Sequence, residues 1–190
     1  MYKMKTLFIN ACVREDSRTL KLAEYALEKI GGEITELDLD KEMIMPLTRK
    51  TLAKREEMAS KGEFDDEFFS YAKQFAEADK IVVAAPYWDL SFPALLKSYF
   101  ERINVIGITF LYSDLGIPSG LCRASRLYYI TTSGGTIVSD ELGYGYVKTL
   151  CNTFYGISDT LCIKAEGLDV VGNDIDAILD GAKKEIDKVM

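Results

Sequence analysis

The sequence predicts an α/β domain: a doubly wound sheet of five parallel strands with helices on both faces. Three observations carry that expectation. Short apolar runs alternate with helical apolar periodicity, the pattern of strand–helix–strand crossovers. Residues 81–85, Ile-Val-Val-Ala-Ala, form a continuous apolar run, as a central strand buried on both faces requires. The 190 residues suit one domain large enough to bury a substantial core.

The elements follow in order. Residues 6–10 read as the first strand, and residues 11–16 as a polar turn. Leu20, Ala23, Leu27 and Ile30 then recur along one helical face. Gly31 and Gly32 end that helix as a C-cap. Residues 34–39 alternate apolar and polar, which marks an edge strand with one wet face. Residues 41–79 are less regular and read as a helical insertion or lid. Within them, residues 48–60 form a charged, solvated helix. Phe68, Ala72 and Phe75 mark a second helix, with Asp65, Asp66 and Glu67 in its first turn. Pro86 stops the central strand, and Pro93 suits the first turn of the next helix. That helix turns Leu95, Leu96, Tyr99, Phe100 and Ile103 inward. Residues 109–112 form a short extra strand before a Gly-rich loop. Residues 127–131 and 160–165 are the last two main strands, with a helix over 143–154 between them. Ile175, Ile178, Ala182, Ile186 and Val189 define a final helix.

Composition removes several chemistries. There is no histidine. Ser-His-Asp and Cys-His pairs, His-ligated zinc, two-His-one-carboxylate iron and proximal-His haem are all excluded. A net charge of −7 argues against a nucleic-acid partner, which demands a positive footprint. No stretch approaches the ~20 apolar residues of a membrane span. The N-terminus lacks a signal-peptide pattern, so no membrane partner and a cytoplasmic location are expected. Cys12, Cys122, Cys151 and Cys162 show no C-x-x-C spacing. They read as reduced thiols packed like small apolar residues, not as metal ligands.

In a doubly wound sheet, ligands bind beyond the carboxyl ends of the strands at the switch point. Three loops therefore matter. The first, residues 10–19, opens a helix. Ser17, Thr19, the helix-end amides and Arg14 or Arg18 suit a phosphate; the same residues also suit an Asp16 or Ser17 N-cap with solvated arginines. No G-x-G-x-x-G or Walker loop is present. The second, residues 86–93, carries the only tryptophan, Trp88, with Tyr87 and Phe92 between two prolines. It offers stacking surface to a planar ligand or plugs the gap between helix and sheet. The third, Thr131-Thr132-Ser133-Gly134-Gly135, offers amides to ligand carbonyls or is a tight turn. Phosphate, planar ring and amide donors around one crevice are what a flavin mononucleotide needs.

Four ordered blocks carry a family resemblance. Residues 86–103, PYWDLSFPALLKSYFERI, resemble a P-M-Y-N-F-x-x-P-x-x-L-K segment. Gly107-Ile108-Thr109-Phe110 through Tyr112, with Gly120-Leu121, resembles G-V-T-F-x-Y and a following G-L. Thr132-Ser133-Gly134-Gly135 matches S-x-G-G, and Ala165-Glu166-Gly167 matches A-E-G. Together they resemble the flavodoxin-fold, FMN-dependent NAD(P)H:quinone reductases and azoreductases, from the first strand nearly to the chain's end.

The resemblance implies strand order 2-1-3-4-5 and a tightly bound FMN. It implies NADH or NADPH as hydride donor in a ping-pong reaction. A quinone, azo compound or nitroaromatic is the small-molecule electron acceptor. It also implies a homodimer with the flavin sites at the interface. Ser17, Arg18 and Thr19 match the phosphate-binding segment, with Cys12 or Ala11 where the family has an early serine. Pro86, Tyr87, Trp88, Asp89 and Leu90 match the segment along the isoalloxazine ring. Thr132, Ser133, Gly134 and Gly135 match the loop at its other edge. Tyr87, Trp88 and Tyr144 are the candidate aromatic walls for substrate. Phe110, Tyr112, Phe154 and Tyr155 belong to the interface or to the core. Asp89 replaces the family's asparagine, and an ionised carboxylate cannot donate as an amide does. Asp89 is also the one candidate acid or base. Thr136-Ile137 stands where some relatives carry a histidine. Rival readings are a one-electron flavodoxin-type carrier, whose T/S-x-T-G-x-T loop is absent, and a non-catalytic flavin-binding regulatory protein. A receiver-type signalling module would need acidic residues where Asn10 and Ala85-Pro86 stand.

Overall fold

The computed structural model describes residues 3–190. Strand β1 (Lys5–Asn10) leads into helix α1 (Arg18–Ile30). Ser17 caps this helix by accepting from the Leu20 N–H at 3.2 Å, and Gly31 closes it at φ 61°. Thr19, Leu22, Ala23, Ala26 and Leu27 form its buried face, the stripe that helical periodicity demands. Strand β2 (Glu33–Asp38) lies at the sheet edge as expected, but its burial does not alternate: Leu37 is buried while Ile34 stays exposed. Then come α2 (Leu39–Glu42), α3 (Arg49–Ser60), α4 (Ser70–Glu77) and β3 (Lys80–Ala84), the apolar run of the sequence. Helix α5 (Ala94–Ile103) is followed by β4 (Phe110–Tyr112), β5 (Pro118–Gly120) and β6 (Arg126–Thr132). Helix α6 (Tyr144–Leu150), β7 (Thr160–Ala165) and α7 (Ile175–Val189) complete the chain.

The main sheet runs β2-β1-β3-β6-β7, and every pair in it is parallel. Counting only its own strands, that is order 2-1-3-4-5. Alternation along each strand divides the core. Leu7, Ile9, Ile81, Val83, Leu127 and Tyr129 face α4, α5 and α6, where Phe75, Phe100 and Val147 meet them. Phe8, Val82, Ala84, Tyr128 and Ile130 face α1 and α7, against Leu22 and Ile186. Among the described residues, no helix is long and apolar enough to cross a membrane.

Several details differ from the sequence reading. Pro93 is the N-cap of α5, one residue outside the helix. The expected helix over 143–154 keeps α-helical register only from Tyr144 to Leu150 and then widens into a π-turn, Cys151–Tyr155. Residues 41–79 divide in two. Helix α3, capped by the reciprocal Thr48–Thr51 box, keeps little besides Met58 inside. Helix α4 buries Ala72, Phe75 and Ala76 and is the crossover that β2 needs to reach β3. Strand β5 escapes sequence reading because Pro-Ser-Gly carries no strand preference. It is held instead by antiparallel pairing with β4 and by close docking on the π-turn.

That docking admits no side chain. A Cβ on Gly120 would stand 2.1 Å from the Gly156 nitrogen and from the Tyr155 carbonyl carbon. Both are backbone atoms, and neither has room to yield. Tyr155 itself is fully buried, its hydroxyl donating to Asn104 Oδ1 at 2.6 Å. Gly120→Ala is therefore expected to lower stability by about 2–3 kcal/mol in urea unfolding. Ser119→Ala next to it should stay within about 0.5 kcal/mol. Equal small effects from both would show that the hairpin is not packed this closely.

Candidate functional site

A cleft of about 220 Å³ opens at the carboxyl ends of β1, β3 and β6. Its first wall is the start of α1. The Ser17 N–H donates back to the Arg14 carbonyl at 3.1 Å, which tightens the turn before the helix. The N–H groups of Arg18 and Thr19 come too early to find an intrahelical acceptor. Thr19 is buried, with its Oγ1 2.7 Å from Thr132 Oγ1, so the first and third loops are tied through their hydroxyls. Arg18 Nη1 donates to Asp169 Oδ1 at 2.8 Å and to the Leu168 carbonyl at 3.1 Å.

The second wall follows β3. The Tyr87 N–H donates to the Thr132 carbonyl at 3.0 Å, extending the sheet ladder beyond the strand end. Trp88 and Ser91 then exchange backbone hydrogen bonds at 3.0 and 2.8 Å around a two-residue turn. Its central residues have φ 48° at Asp89 and φ 68° at Leu90. Positive φ at both is the signature of a type I′ turn, which usually takes Asn-Gly. Asp tolerates that conformation; Leu holds it at a cost of about 1–2 kcal/mol. The guanidinium of Arg14 lies 5.8 Å from the centre of the Trp88 ring, within cation–π range.

The third wall follows β6 and is welded to the segment after β7. Ser133 N–H donates to Ala165, Leu168 N–H to Ser133, Asp169 N–H to Gly134 and Gly167 N–H to Gly135, at 2.8–3.1 Å. Within the described residues, no hydrogen bond engages the N–H groups of Gly134 and Gly135. A Cβ on Gly134 would stand 2.2 Å from Asp169 Oδ2, so a larger residue there would have to displace that exposed carboxylate.

Ser17, Arg18, Thr19, Pro86, Tyr87, Trp88, Thr132, Ser133 and Gly134 thus line a single cleft. Other candidates lie elsewhere. Cys12 packs beneath the floor with its thiol 3.8 Å from the Ala84 carbonyl. Asp89 and Leu90 sit on the exposed turn tip, and Gly135 is exposed beyond the lining. Tyr144 lines a separate hollow of about 10 Å³ with Tyr87 and Tyr129, its hydroxyl donating to the Thr160 carbonyl at 2.9 Å. Sequence reading did not single out Val13, Leu168 or Asp169, which also line the cleft. The signal for the last two was adjacent: they directly follow the Ala165-Glu166-Gly167 block. Among the described residues, no group of His, Cys, Asp and Glu is placed to hold a metal ion.

A family described as Flavodoxin-like fold matches residues 4–190. An FMN-dependent NADH:quinone oxidoreductase of Clostridium acetobutylicum is 42% identical over 187 residues, covering 92% of each chain. The chain belongs to this flavodoxin-like reductase family. Among solved structures, an azoreductase of Bacillus anthracis superposes with a TM-score of 0.85 at 27% identity, over 98% of both chains. An FMN-dependent NADH-azoreductase of Bacillus anthracis, solved in complex with FMN, gives 0.81 at 25% identity, over 97% of this chain and 96% of that one.

The cysteines offer no nucleophile to this cleft. Burial pushes the Cys12 thiol up to about 11, against a smaller opposing hydrogen bond from Ser17. Burial likewise raises Cys122, Cys151 and Cys162 to about 12. The thiolate is the reactive form, so a thiol near 11 reacts roughly 100-fold more slowly at pH 8 than an ordinary cysteine near ~8.5. Native protein should therefore be labelled slowly by a disulfide reagent at pH 8, with all four thiols reacting at once in urea. Rapid labelling of one thiol in the folded state would contradict this burial.

Proposed function

We propose that the cleft holds FMN by its phosphate end, and that the protein is an FMN-dependent NAD(P)H oxidoreductase. Quinones, azo compounds or nitroaromatics are its two-electron acceptors. One observation carries the assignment. The end of α1 with Arg18, the Trp88 wall and the unengaged Gly134 amide converge on one cleft at the switch point of the sheet. These donors fit the group. Helix-end amides and a guanidinium suit a phosphate, an indole suits a flat ring, and glycine amides suit ring carbonyls.

When bound, FMN supplies the redox centre, and the protein supplies orientation and electrostatics. Arg18 and the Arg18 and Thr19 N–H groups would anchor the phosphate. Trp88, stiffened by the Trp88–Ser91 turn and flanked by Arg14, would wall the ring and the acceptor that stacks there. The Gly134 and Gly135 N–H groups would donate to the ring's polar edge and favour its electron-rich form. With no histidine in the chain, the pH–rate profile should lack an imidazole inflection near ~6.5.

A volume of 220 Å³ falls short of the ~300–1,000 Å³ of a closed ligand pocket, so part of the flavin would extend beyond this cleft. A second copy of the chain would cover it. Apolar surface for such a dimer exists: Leu111, Tyr112, Leu115 and Ile117 are exposed on the β4–β5 hairpin. Beside it runs an apolar groove of about 490 Å³ that includes Ile106, Phe110 and Phe154. Four unpaired cysteines suit a reducing, cytoplasmic setting.

Trp88 is the chain's only tryptophan, which makes the assignment directly readable. Titrating flavin-free protein with FMN should quench its fluorescence to a plateau near one flavin per chain. The loaded protein should oxidise NADH or NADPH when menadione is added. Trp88→Phe should abolish the quench while flavin fluorescence still reports binding. Folded protein that neither quenches nor takes up flavin would defeat the proposal.

A further inference from the structure

Arg18 does not face the cleft as a free cation. Its Nη1 is shared between Asp169 Oδ1 at 2.8 Å and the Leu168 carbonyl at 3.1 Å. Asp169 in turn is a fixed partner. Its N–H donates to the Gly134 carbonyl at 2.8 Å, and its Oδ2 lies 2.2 Å from the position a Cβ on Gly134 would take. The backbone of Asp169 is thus tied to the third wall, while its side chain stays 67% exposed and turns to Arg18.

The charge balance points the same way. Of the side chains lining the cleft, Arg14 and Arg18 are cationic, and Asp16 and Asp169 are anionic. The formal sum is zero. A phosphomonoester, with a charge of about −1.5 to −2 at pH 7, meets helix-end amides but no net formal charge from the side chains. Only Nη1 of Arg18 is taken, so Nε and Nη2 remain available; Asp169 attenuates the site without blocking it.

Resting on the assignment of FMN to this cleft, we infer that Asp169 is a specificity-determining residue that weakens the hold on the flavin phosphate. It draws on Arg18 and repels the incoming dianion. The cleft therefore separates FMN from unphosphorylated riboflavin less sharply than its two arginines alone would. Removing one charge of a screened surface set changes an affinity by roughly three- to tenfold.

The test is binding, not turnover. Flavin-free wild type, Asp169→Asn and Asp169→Ala are titrated with FMN and with riboflavin, following flavin fluorescence at low and high salt. Both variants should bind FMN three- to tenfold more tightly and riboflavin unchanged, with the gain shrinking as salt rises. The alanine variant guards against a new hydrogen bond from the asparagine amide. Weaker FMN binding in both variants would overturn the inference, because Asp169 would then orient Arg18 for the phosphate. Unchanged FMN affinity, or equal shifts for FMN and riboflavin, would overturn it as well. Wild type that takes up neither flavin refutes the cofactor assignment itself, a result seen before any variant is compared.

Discussion

The cleft exists because three parallel strands end in register and their hydrogen-bond ladder does not stop where they do. Asn10 pairs with Ala84, and Ala84 with Ile130. Beyond those pairs the Ala11 N–H reaches the Ala84 carbonyl, Ala85 reaches Ile130, Tyr87 reaches Thr132 and Ser133 reaches Ala165, at 2.9–3.0 Å. Each loop is thereby held by its neighbour before it diverges. The reversal of strand order between β1 and β3 sends α1 to one face and α5 to the other, leaving a crevice between their entry loops. A loop anchored on both sides at its base needs little further help to present a side chain in a fixed direction. That is why Ser17, Trp88 and Gly134, far apart in sequence, reach one cleft.

Most of this fold was readable from local pattern, because each main element satisfies its own rule. The apolar run of β3, the edge position of β2 and the capped stripe of α1 all agree between sequence and structure. What escaped depends on contacts between distant segments. Strand β5 has no strand preference and exists because Gly120 lets it lie on Gly156. Tyr144, named as a candidate aromatic wall, has its hydroxyl turned to Thr160 by the start of α6. Asp169 escaped as a partner of Arg18 for a related reason. It lies 151 positions from Arg18, and only the weld between the loops after β6 and β7 brings the two together.

The absence of histidine leaves few groups that change charge near neutrality, and the structure narrows them further. Burial raises all four thiols and carries Tyr99, Tyr129 and Tyr155 above the ordinary phenol range. These tyrosines are core: Phe75 meets both Tyr99 and Tyr155 edge-on, and the Tyr155 hydroxyl is satisfied by Asn104. The cleft's own polar atoms are mostly backbone amides, hydroxyls and guanidinium groups, whose donor character does not vary between pH 5 and 8. Such a lining suits a site that binds and orients, with electron transfer left to a cofactor.

Rigidity and charge are then distributed unevenly across the cleft. At one end Trp88 is fixed by a two-residue turn that forces Leu90 to positive φ, and strain of that kind persists only where the surroundings over-determine it. The surroundings here include the paired Trp88–Ser91 hydrogen bonds and the Ser91 hydroxyl donating to the Leu142 carbonyl at 2.5 Å. At the other end the cations are balanced by carboxylates, so the phosphate site proposed there would rest on amide geometry more than on net charge. The aromatic wall is therefore the end where position is most tightly dictated. A redox site gains most from that arrangement, since hydride transfer depends on how closely two flat partners are aligned, whereas the phosphate serves only as a tether.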